Sequence, residues 1–304
     1  MYDIIIIGSG PAGLAATIYG QRAKLDVLVI EKQPMSGGQV LTTYDVDNYP
    51  GLPGIGGFDL GIKFRAHADA LGAHVVTEDV TAVELAGSTK KVTTTAGEYE
   101  ARTIIISTGA DHKLLDVPGE EELRGMGVSY CATCDGAFFR GKEVAVVGGG
   151  DVALEDALFL ARACTKVYLI HRRDEFRGAK SLQEKVFRAE NIEVIWDTVV
   201  ERIEGAEQVE AIALKNRKTG EKNRLSVSGV FVAVGIQPNS KIFDGKLELD
   251  QGGYIKAGED CCTSEPGVFA AGDVRTKQLR QIITAAADGA NAVTSVERYL
   301  LQSN

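Results

Sequence analysis

The stretch that decides the fold is residues 3–31, "DIIIIGSGPAGLAATIYGQRAKLDVLVIE". It aligns without a gap to residues 143–171, "EVAVVGGGDVALEDALFLARACTKVYLIH", so that residue 3 matches residue 143. Each copy has the pattern of a β-branched strand, a glycine turn, a helix and a second strand. Strands that alternate with helices predict βαβ units and parallel sheets. We therefore expect an α/β protein with two Rossmann-like (three-layer ββα) dinucleotide-binding domains.

The glycines of the two turns have the spacing of a pyrophosphate-binding loop, Gly8-x-Gly10-x-x-Gly13 and Gly148-x-Gly150-x-x-Ala153. In such a loop the first glycine makes the tight turn and the second lets the backbone approach the pyrophosphate. The third residue must be small so that helix and strand can pack closely, and the helix N-terminus attracts the phosphates. One copy alone is also compatible with an ordinary tight turn. Two copies in register, each within a βαβ pattern, favour two bound dinucleotides.

The residues at the ends of the second strands distinguish the two nucleotides. The first copy ends at Glu31, an acidic residue that binds an unmodified ribose 2′-hydroxyl and repels a 2′-phosphate. The second copy ends at His171 and continues "HRRDEFR" to Arg177, with guanidinium groups that match phosphate geometry. The first site therefore suits FAD or NAD, and the second suits NADPH. The alternative is a solvated charge run, because Asp174 and Glu175 lie beside the arginines.

A close cysteine pair, Cys131 and Cys134, lies in "SYCATCDG" and is followed directly by Asp135. A zinc site needs four ligands, and none of the 4 histidines has ligand spacing with this pair. A structural crosslink across two residues closes too small a loop to stabilise a fold much. The spacing suits a redox-active disulfide, whose protons Asp135 could move. Two dinucleotide sites and one redox pair indicate an electron relay, and no metal is expected.

Composition limits the partners and the compartment. The 304-residue chain is 44% hydrophobic and 25% charged, with a net charge of −9 and a pI of about 5.1. This acidity argues against binding to nucleic acid or to an anionic membrane. The start "MYDIIIIGSG" has no signal-peptide pattern, and no apolar window is long enough for a membrane span. We expect a cytoplasmic protein in which Cys164, within a helix, is structural and Cys261 and Cys262 are free thiols.

The order of motifs along the chain resembles that of the low-molecular-weight thioredoxin reductases, over about residues 2–299. The matching segments are "GSGPAGLAA", "GGQ", "NYPG", "CATCDG", "GGGDVALEDA", "HRRDEFR", "GIQPN", "GVFAAGDV" and "RQIITAAADGA". The glutathione-reductase branch differs, because its cysteines lie near the first glycine loop and it carries a C-terminal dimerisation domain. The family often has a small hydroxylated residue at the position of Val152 and alanine at that of Gly178.

The resemblance implies a role for each matched residue. Cys134 would face the flavin, Cys131 would attack the substrate disulfide, and Asp135 would be the general acid. The residues implied to hold FAD are Gly8, Gly10, Pro11, Ala12 and Gly13 (pyrophosphate), Glu31 (ribose), Gly38, Gln39 and Asn48 (flavin side), Asp273 (ribityl chain), and Arg280, Gln281 and Ile282 (isoalloxazine). Those implied to hold NADPH are Gly150, Asp151, His171, Arg172, Arg173 and Arg177. Judged without the resemblance, Asn48 and Asp135 are compatible with turns, Asp273 with a helix cap and Gln281 with an ordinary helix position.

The resemblance also implies the domain organisation and the activity. An FAD domain would comprise 1–112 and 241–304, and the inserted NADPH domain, 113–240, would carry the cysteines. The connecting segments 112–127 and 236–253 would form a hinge between two domain orientations. The expected activity is reduction of thioredoxin by NADPH, in a homodimer. Two alternatives remain: the same electron path to a glutaredoxin-like or peroxidase-partner protein, or a flavin redox sensor that does not turn over.

Overall fold

The computed structural model describes residues 1–43, 46 and 48–302. Its strands are β1 Tyr2–Ile7, β2 Val27–Glu31, β3 His74–Thr77, β4 Val80–Glu84, β5 Lys90–Thr94, β6 Glu98–Ile106, β7 Ala110–His112, β8 Val128–Ser129, β9 Glu143–Gly148, β10 Lys166–Ile170, β11 Ile192–Ile195, β12 Thr198–Glu204, β13 Ala211–Asn216, β14 Lys222–Ser226, β15 Gly229–Ala233, β16 Ile236–Pro238 and β17 Val268–Ala270. Its α-helices are α1 Pro11–Arg22, α2 Gly57–Ala70, α3 Ala132–Asp135, α4 Asp151–Leu160, α5 Lys180–Arg188 and α6 Ile282–Gln302. Short 3₁₀ helices span Gly38–Thr42, Gly136–Phe139, Lys241–Phe243 and Gly272–Val274.

The chain divides into two compact units, 1–111 with 237–304, and 112–236. The crossings between them lie in β7 and β16, which pair as a two-stranded sheet. The sequence prediction put these boundaries at 112/113 and 240/241. In the described part of the chain no helix is both long and apolar enough to cross a membrane.

The sheet of the first unit has the order β3-β2-β1-β6-β5-β4, with β17 also paired to β6. Strand β1 runs parallel to β2 and β6, whereas β4 and β5 form an antiparallel hairpin. The isoleucines of β1 are buried on both faces, as expected for a covered parallel strand. Ile4 and Ile6 pack with alanines and valines of α1 and α6, and Ile5 and Ile7 pack with the β4–β5 hairpin.

The sheet of the second unit, β11-β10-β9-β15-β8, is parallel throughout. One face packs against α4 and α5 through Leu154, Ala157 and Val186. The other face packs against the antiparallel sheet β12-β13-β14 through Val200 and Ile212. The predicted mixed α/β fold with parallel sheets is therefore confirmed.

The duplicated segments form the same elements in both units. β1, α1 and β2 of the first copy correspond to β9, α4 and β10 of the second. The helix predicted to continue through Cys164 instead ends at Leu160, so the placement of Cys164 within a helix was wrong. Cys164 lies in the turn before β10, where its buried thiol donates to the Phe139 carbonyl at 3.3 Å.

Candidate active site

The first glycine loop connects β1 to α1 and is shaped by contacts at two of its three glycines. A Cβ atom on Gly8, where φ is +97°, would lie 2.5 Å from the Ser107 carbonyl oxygen. A Cβ on Gly13 would lie 2.0 Å from the Gly8 carbonyl oxygen. A Cβ on Gly10 would meet no atom within 4 Å. The fold therefore requires Gly8 and Gly13, whereas the space beside Gly10 is open.

Helix α1 begins at Pro11 with Gly10 as its N-cap residue, with no side-chain cap and no acidic residue in its first turn. Its first N–H groups and its positive dipole end therefore have no side-chain counterpart in the described structure. At the end of β2 the buried carboxylate of Glu31 accepts hydrogen bonds from Ser9 N at 2.8 Å and from Ser9 Oγ at 2.6 Å. Its other oxygen accepts from Gln33 N at 2.9 Å. Glu31 and the loop thus form one unit.

Two more predicted residues lie beside this loop. Gly38, with φ +59°, begins a 3₁₀ helix, and a Cβ there would lie 3.3 Å from the Gly10 Cα. The Gln39 side chain donates through Nε2 to the carbonyl of Ala110, the first residue of β7. The segment from Gly38 onward is therefore placed at the carboxyl ends of the strands, where open α/β sheets bind their ligands.

Asn48 and Gln281 are 233 positions apart and meet through a hydrogen bond, from Asn48 Nδ2 to Gln281 Oε1 at 2.8 Å. The hydrogen bond is exposed, and it joins the loop that contains Asn48 to the residue directly before α6. Ile282, half-buried, begins α6 directly after Gln281. The structure thus brings together two segments that are distant in sequence and that the resemblance implies to lie at the flavin.

Asp273 follows β17 and lies beside the first loop. A Cβ on its neighbour Gly272 would lie 2.9 Å from the Ala12 Cβ, so this segment packs against the start of α1. Burial raises the pKa of Asp273, and its Oδ1 has no hydrogen-bond partner among the described residues. The buried Nε of Arg280 also has no hydrogen-bond partner among the described residues, and its guanidinium lies 4.1 Å from the ring centre of Tyr254. Two polar groups are thus buried with unfilled hydrogen-bonding capacity, a pattern that points to a ligand.

A buried charge network beneath this segment was missed by the sequence analysis. Asp288 on α6 accepts from Arg275 Nη2 at 2.6 Å, from Lys277 Nζ at 2.8 Å and from Gly272 N at 2.9 Å. Burial alone would raise the pKa of Asp288, but the hydrogen bonds from Arg275 and Lys277 outweigh burial and lower it. The network anchors the backbone that carries Asp273.

The second glycine loop repeats the design of the first. A Cβ on Gly148 would lie 2.4 Å from the Ala233 carbonyl oxygen and 2.6 Å from the Ala153 Cβ. A Cβ on Gly150, the N-cap residue of α4, would meet no atom within 4 Å. The middle glycine is again the one that the protein's own packing does not require.

Asp151, the first residue of α4, holds the segment that follows the arginines. Its Oδ1 accepts a hydrogen bond from Ala179 N at 2.7 Å. The backbone N–H of Arg177 also donates to the Gly149 carbonyl at 2.8 Å. The loop and the basic segment are therefore joined by two hydrogen bonds, one of which is made by the Asp151 side chain.

His171 is buried at the end of β10 beneath the second loop. A Cβ on Gly149 would lie 2.3 Å from its ring. Burial lowers the pKa of His171, and its Nε2 has no partner in the described part of the chain. The ring is packed against Phe176, which in turn lies 4.4 Å from Trp196, centre to centre. This aromatic cluster, absent from the predicted site, anchors the basic segment through Phe176.

The three arginines of "HRRDEFR" project from this anchored segment into solvent. The ion pairs formed by the described residues do not include Arg172, Arg173 or Arg177. The adjacent Asp174 pairs instead with Lys218, at 2.8 Å. The nearby carboxylate of Asp174 is therefore paired outside the arginine segment, and the exposed guanidinium groups fit both a phosphate site and a solvated charge run.

The redox pair lies at the short helix α3, with Cys131 as the N-cap residue and Cys134 within the helix. Cys131 and Cys134 are joined by a disulfide, and both are half-buried. The backbone of Cys131 accepts hydrogen bonds at its carbonyl from Cys134 N at 3.2 Å and from Asp135 N at 3.1 Å. Cys131 Sγ also lies 3.4 Å from the exposed Thr133 hydroxyl.

Asp135 contacts the pair through Ser129, another residue that the sequence analysis missed. Ser129 Oγ donates to Asp135 Oδ2 at 2.6 Å and accepts from Cys131 N at 3.1 Å. Burial raises the pKa of Asp135, while the Ser129 hydrogen bond acts in the opposite direction. Asp135 Oδ1 is buried without a partner in the described structure. A carboxyl group with a raised pKa, next to a disulfide, can hold a proton and release it locally.

The remaining cysteines are not in disulfides. Cys261 is buried, its thiol donates to the Asp288 carbonyl at 3.4 Å, and burial raises its pKa to about 12. Cys262 is exposed. Among the described residues no cluster of histidine, cysteine and acidic side chains could hold a metal ion.

Comparison with known proteins gives a consistent result. The family described as "Pyridine nucleotide-disulphide oxidoreductase" matches residues 2–289. Thioredoxin reductase of Peptoclostridium litorale is 47% identical over 307 residues, covering 99% of this chain and 97% of the relative. Thioredoxin reductase of Bacillus subtilis strain 168 is 44% identical, covering 99% of this chain and 95% of the relative. The crystal structure of thioredoxin reductase from Streptococcus pyogenes MGAS5005 is 44% identical, with a TM-score of 0.95 and 99% of each chain covered.

The match extends over the two glycine loops, the arginine segment and the cysteine pair, and it implies a flavin and a nicotinamide nucleotide as cofactors. The chain belongs to the pyridine nucleotide-disulphide oxidoreductase family and, within it, to the thioredoxin reductases.

Proposed function

We propose that this chain reduces the disulfide of thioredoxin with electrons from NADPH, through FAD and the Cys131–Cys134 pair. The first unit would be the FAD domain, and the inserted second unit would be the NADPH domain that carries the cysteines. The observation that carries the proposal is the disulfide beside Asp135, in a unit that also contains a nucleotide-type loop and a basic segment.

The residues of the first unit fit FAD. The space beside Gly10 is open, and the start of α1 offers N–H groups without a side-chain cap. Glu31 ends β2, the position that suits an adenosine ribose in such loops, and the buried Asp273 Oδ1 and Arg280 Nε have hydrogen-bonding capacity left. We assign the FAD-contacting role to Gly8, Gly10, Pro11, Ala12, Gly13, Glu31, Gly38, Gln39, Asn48, Asp273, Arg280, Gln281 and Ile282.

The residues of the second unit fit NADPH. Gly150 leaves open space at the N-terminus of α4 for a pyrophosphate. Three exposed guanidinium groups outside the ion pairs of the described structure suit a 2′-phosphate, because they are always charged and bind phosphate in a fixed fork geometry. We assign NADPH binding to Gly150, Asp151, His171, Arg172, Arg173 and Arg177, with Asp151 acting through the Ala179 backbone.

Bound FAD and NADPH supply two-electron redox chemistry that converts the disulfide to a dithiol. The chain's own cysteines then carry out thiol–disulfide exchange. The Cys131 thiolate attacks one sulfur of the substrate disulfide, which breaks the substrate S–S bond and forms a mixed disulfide. Cys134 then attacks Cys131 Sγ, which restores the Cys131–Cys134 bond and releases the substrate as a dithiol. Two electrons and two protons leave the enzyme pair and appear on the substrate.

Asp135 is suited to the proton transfers of this exchange. Its raised pKa keeps the carboxyl protonated to higher pH than an exposed aspartate, and its free Oδ1 can donate or accept. Ser129 fixes the other oxygen and also the backbone N–H of Cys131, so acid and thiol share one anchor.

The test is steady-state oxidation of NADPH and NADH by the purified holoprotein, with thioredoxin, a glutaredoxin-like protein and a peroxidase-partner protein as acceptors. We expect turnover with thioredoxin that Cys134→Ser abolishes, and a preference for NADPH that Arg172→Ala and Arg173→Ala remove. Faster turnover with another acceptor would replace thioredoxin as the substrate while retaining the electron path. Reduction of the flavin without turnover of any acceptor would support the redox sensor instead.

We propose a homodimer because the first unit has an exposed apolar face. Phe58 and Ile62 lie one turn apart on α2 and are 49% and 45% exposed, and Tyr19 on the contacting helix α1 is 49% exposed. Apolar faces of this kind mark interaction sites more often than ordinary surface. Light scattering of the holoprotein should give the mass of two chains, and a Phe58→Glu, Ile62→Glu double variant should give the mass of one.

A further inference from the structure

The residue directly before the redox pair, Tyr130, is held on three sides by the segment 112–124 that opens the second unit. Its ring stacks on His112, with centres 5.2 Å apart and planes at 25°. The guanidinium of Arg124 lies 5.2 Å above the same ring. The ring is therefore fixed by an aromatic stack and a cation–π contact.

The hydroxyl of Tyr130 has an equally defined partner. It donates to Glu120 Oε1 at 3.0 Å, and Glu120 is only 3% exposed. Glu120 also accepts from Leu115 N at 2.9 Å and from Asp116 N at 2.8 Å. This carboxylate is held by backbone donors, so it is a fixed anchor for the tyrosine. Burial and the Glu120 hydrogen bond raise the pKa of Tyr130, so its hydroxyl keeps its proton to higher pH than that of an exposed tyrosine.

Ser129 and Tyr130, the two residues before Cys131, contact different parts of the second unit. Ser129, at the end of β8, contacts Cys131 N and Asp135, whereas Tyr130 contacts the 112–124 segment. The backbone that leads into Cys131 is therefore held by two separate sets of contacts.

We infer that Tyr130 is a positioning residue that sets the orientation of Cys131 for attack on a protein disulfide. Thiol–disulfide exchange needs the attacking sulfur aligned with the bond that breaks, and misplacement of about 1 Å can cost about 100-fold in rate. The inference rests on the proposed function, because it concerns the exchange step. It adds a residue whose side chain contacts the 112–124 segment and that would act through the backbone that carries Cys131.

The experiment compares Tyr130→Phe, Tyr130→Ala and the control Tyr168→Phe. Tyr130→Phe keeps the ring contacts and removes the bond to Glu120, whereas Tyr130→Ala removes both. Tyr168 donates to Glu143 Oε2 at 2.9 Å on β10, so its variant removes a tyrosine–glutamate bond of the same kind elsewhere in the unit. Each holoprotein is assayed for NADPH oxidation with thioredoxin and with ferricyanide, an acceptor that does not need the dithiol. Melting temperatures are recorded for all variants.

We expect the thioredoxin-dependent kcat to fall by about 5- to 10-fold in Tyr130→Phe and by about 100-fold in Tyr130→Ala. The ferricyanide rate should stay within about 2-fold of the parent, and Tyr168→Phe should change neither rate. The ratio of the two rates is the decisive readout, because a general loss of structure would lower both together.

Two results would overturn the inference: an unchanged ratio in Tyr130→Ala, or the same change of ratio in Tyr168→Phe. If Tyr130→Ala does not fold, an unchanged ratio in Tyr130→Phe overturns it equally. If the parent protein reduces ferricyanide but no thioredoxin, the proposed function fails instead. The Tyr130 comparison is then made with dithiobis(nitrobenzoate), a small disulfide that also reports on Cys131, with the same expected ordering.

Discussion

Replacing Gly150 and Gly148 separately by alanine should distinguish a glycine kept for a ligand from a glycine kept for the fold. The two positions lie in one loop, two residues apart. A methyl group on Gly150 meets no protein atom within 4 Å, whereas one on Gly148 meets the Ala233 carbonyl oxygen at 2.4 Å and the Ala153 Cβ at 2.6 Å. We therefore expect Gly150→Ala to impair NADPH binding alone and Gly148→Ala to destabilise the protein.

The magnitudes follow from these contacts. At the N-cap of α4, alanine is less favourable than glycine by up to about 1 kcal/mol, and the lost flexibility of the unfolded chain offsets about 0.4–1 kcal/mol. The free energy of unfolding of Gly150→Ala should thus stay within about 1 kcal/mol of the parent. Loss of one charge-assisted hydrogen bond to the pyrophosphate would cost about 1.5–3 kcal/mol, or about a 10- to 150-fold rise in KM for NADPH. Gly148→Ala should lose about 1–3 kcal/mol of stability by overpacking against backbone.

The assay is a titration of NADPH at saturating acceptor, together with urea unfolding of the same holoprotein samples. The flavin content of Gly150→Ala should equal that of the parent, since Gly10 serves the other loop. An unchanged KM for NADPH in Gly150→Ala would refute the placement of the pyrophosphate at the start of α4. A large loss of stability in the same variant would refute the claim that this glycine is not needed for packing.

Three further predictions concern the residues around the two loops. Burial raises the pKa of Asp135, so its contribution to stability is fully present below about pH 4 and is lost as pH rises through the folded-state pKa. Asp135→Asn should therefore flatten the pH dependence of urea unfolding above pH 4. The same variant should slow thioredoxin reduction by about 10²- to 10⁴-fold. Phe176→Ala should raise the KM for NADPH, measured from initial rates, more than the KM for NADH, and it should change the emission of Trp196, the single tryptophan. The control Phe187→Ala, at the 59% exposed edge of the same cluster, should change the ratio of the two KM values little. Asp288→Asn should lose about 3–5 kcal/mol in urea unfolding and release flavin measurable by absorbance, because two buried cations lose their common partner; full flavin retention would contradict this role.

The sequence was sufficient to predict the elements of this structure that depend on local residue patterns. The gapless repeat predicted β1, α1 and β2 and their counterparts β9, α4 and β10, because glycine spacing and β-branched runs are local signals. It could not predict the hydrogen bond between Asn48 and Gln281, whose partners are 233 positions apart. Asp288 on α6 was missed for the same reason: its role depends on Arg275 and Lys277 folding back onto it, and its own surroundings in sequence are alanines and a glycine. Cys164 was misplaced because the apolar pattern continues past the residue where α4 ends.

The comparison of the two copies shows how the same strand–turn–helix arrangement accommodates different residues at the end of its second strand. In the first copy Ser9 donates through both backbone and side chain to the Glu31 carboxylate. The matching positions in the second copy are Gly149 and His171, where a Cβ would lie 2.3 Å from the imidazole ring. A serine at position 149 is therefore excluded once the larger ring occupies the strand end, and the two positions must change together. The ring in turn packs on Phe176, which fixes the segment carrying the arginines. Exchanging Glu31 for a histidine without also removing the Ser9 side chain should consequently disturb the first loop, because the residue at the strand end packs against the residue in the loop in both copies.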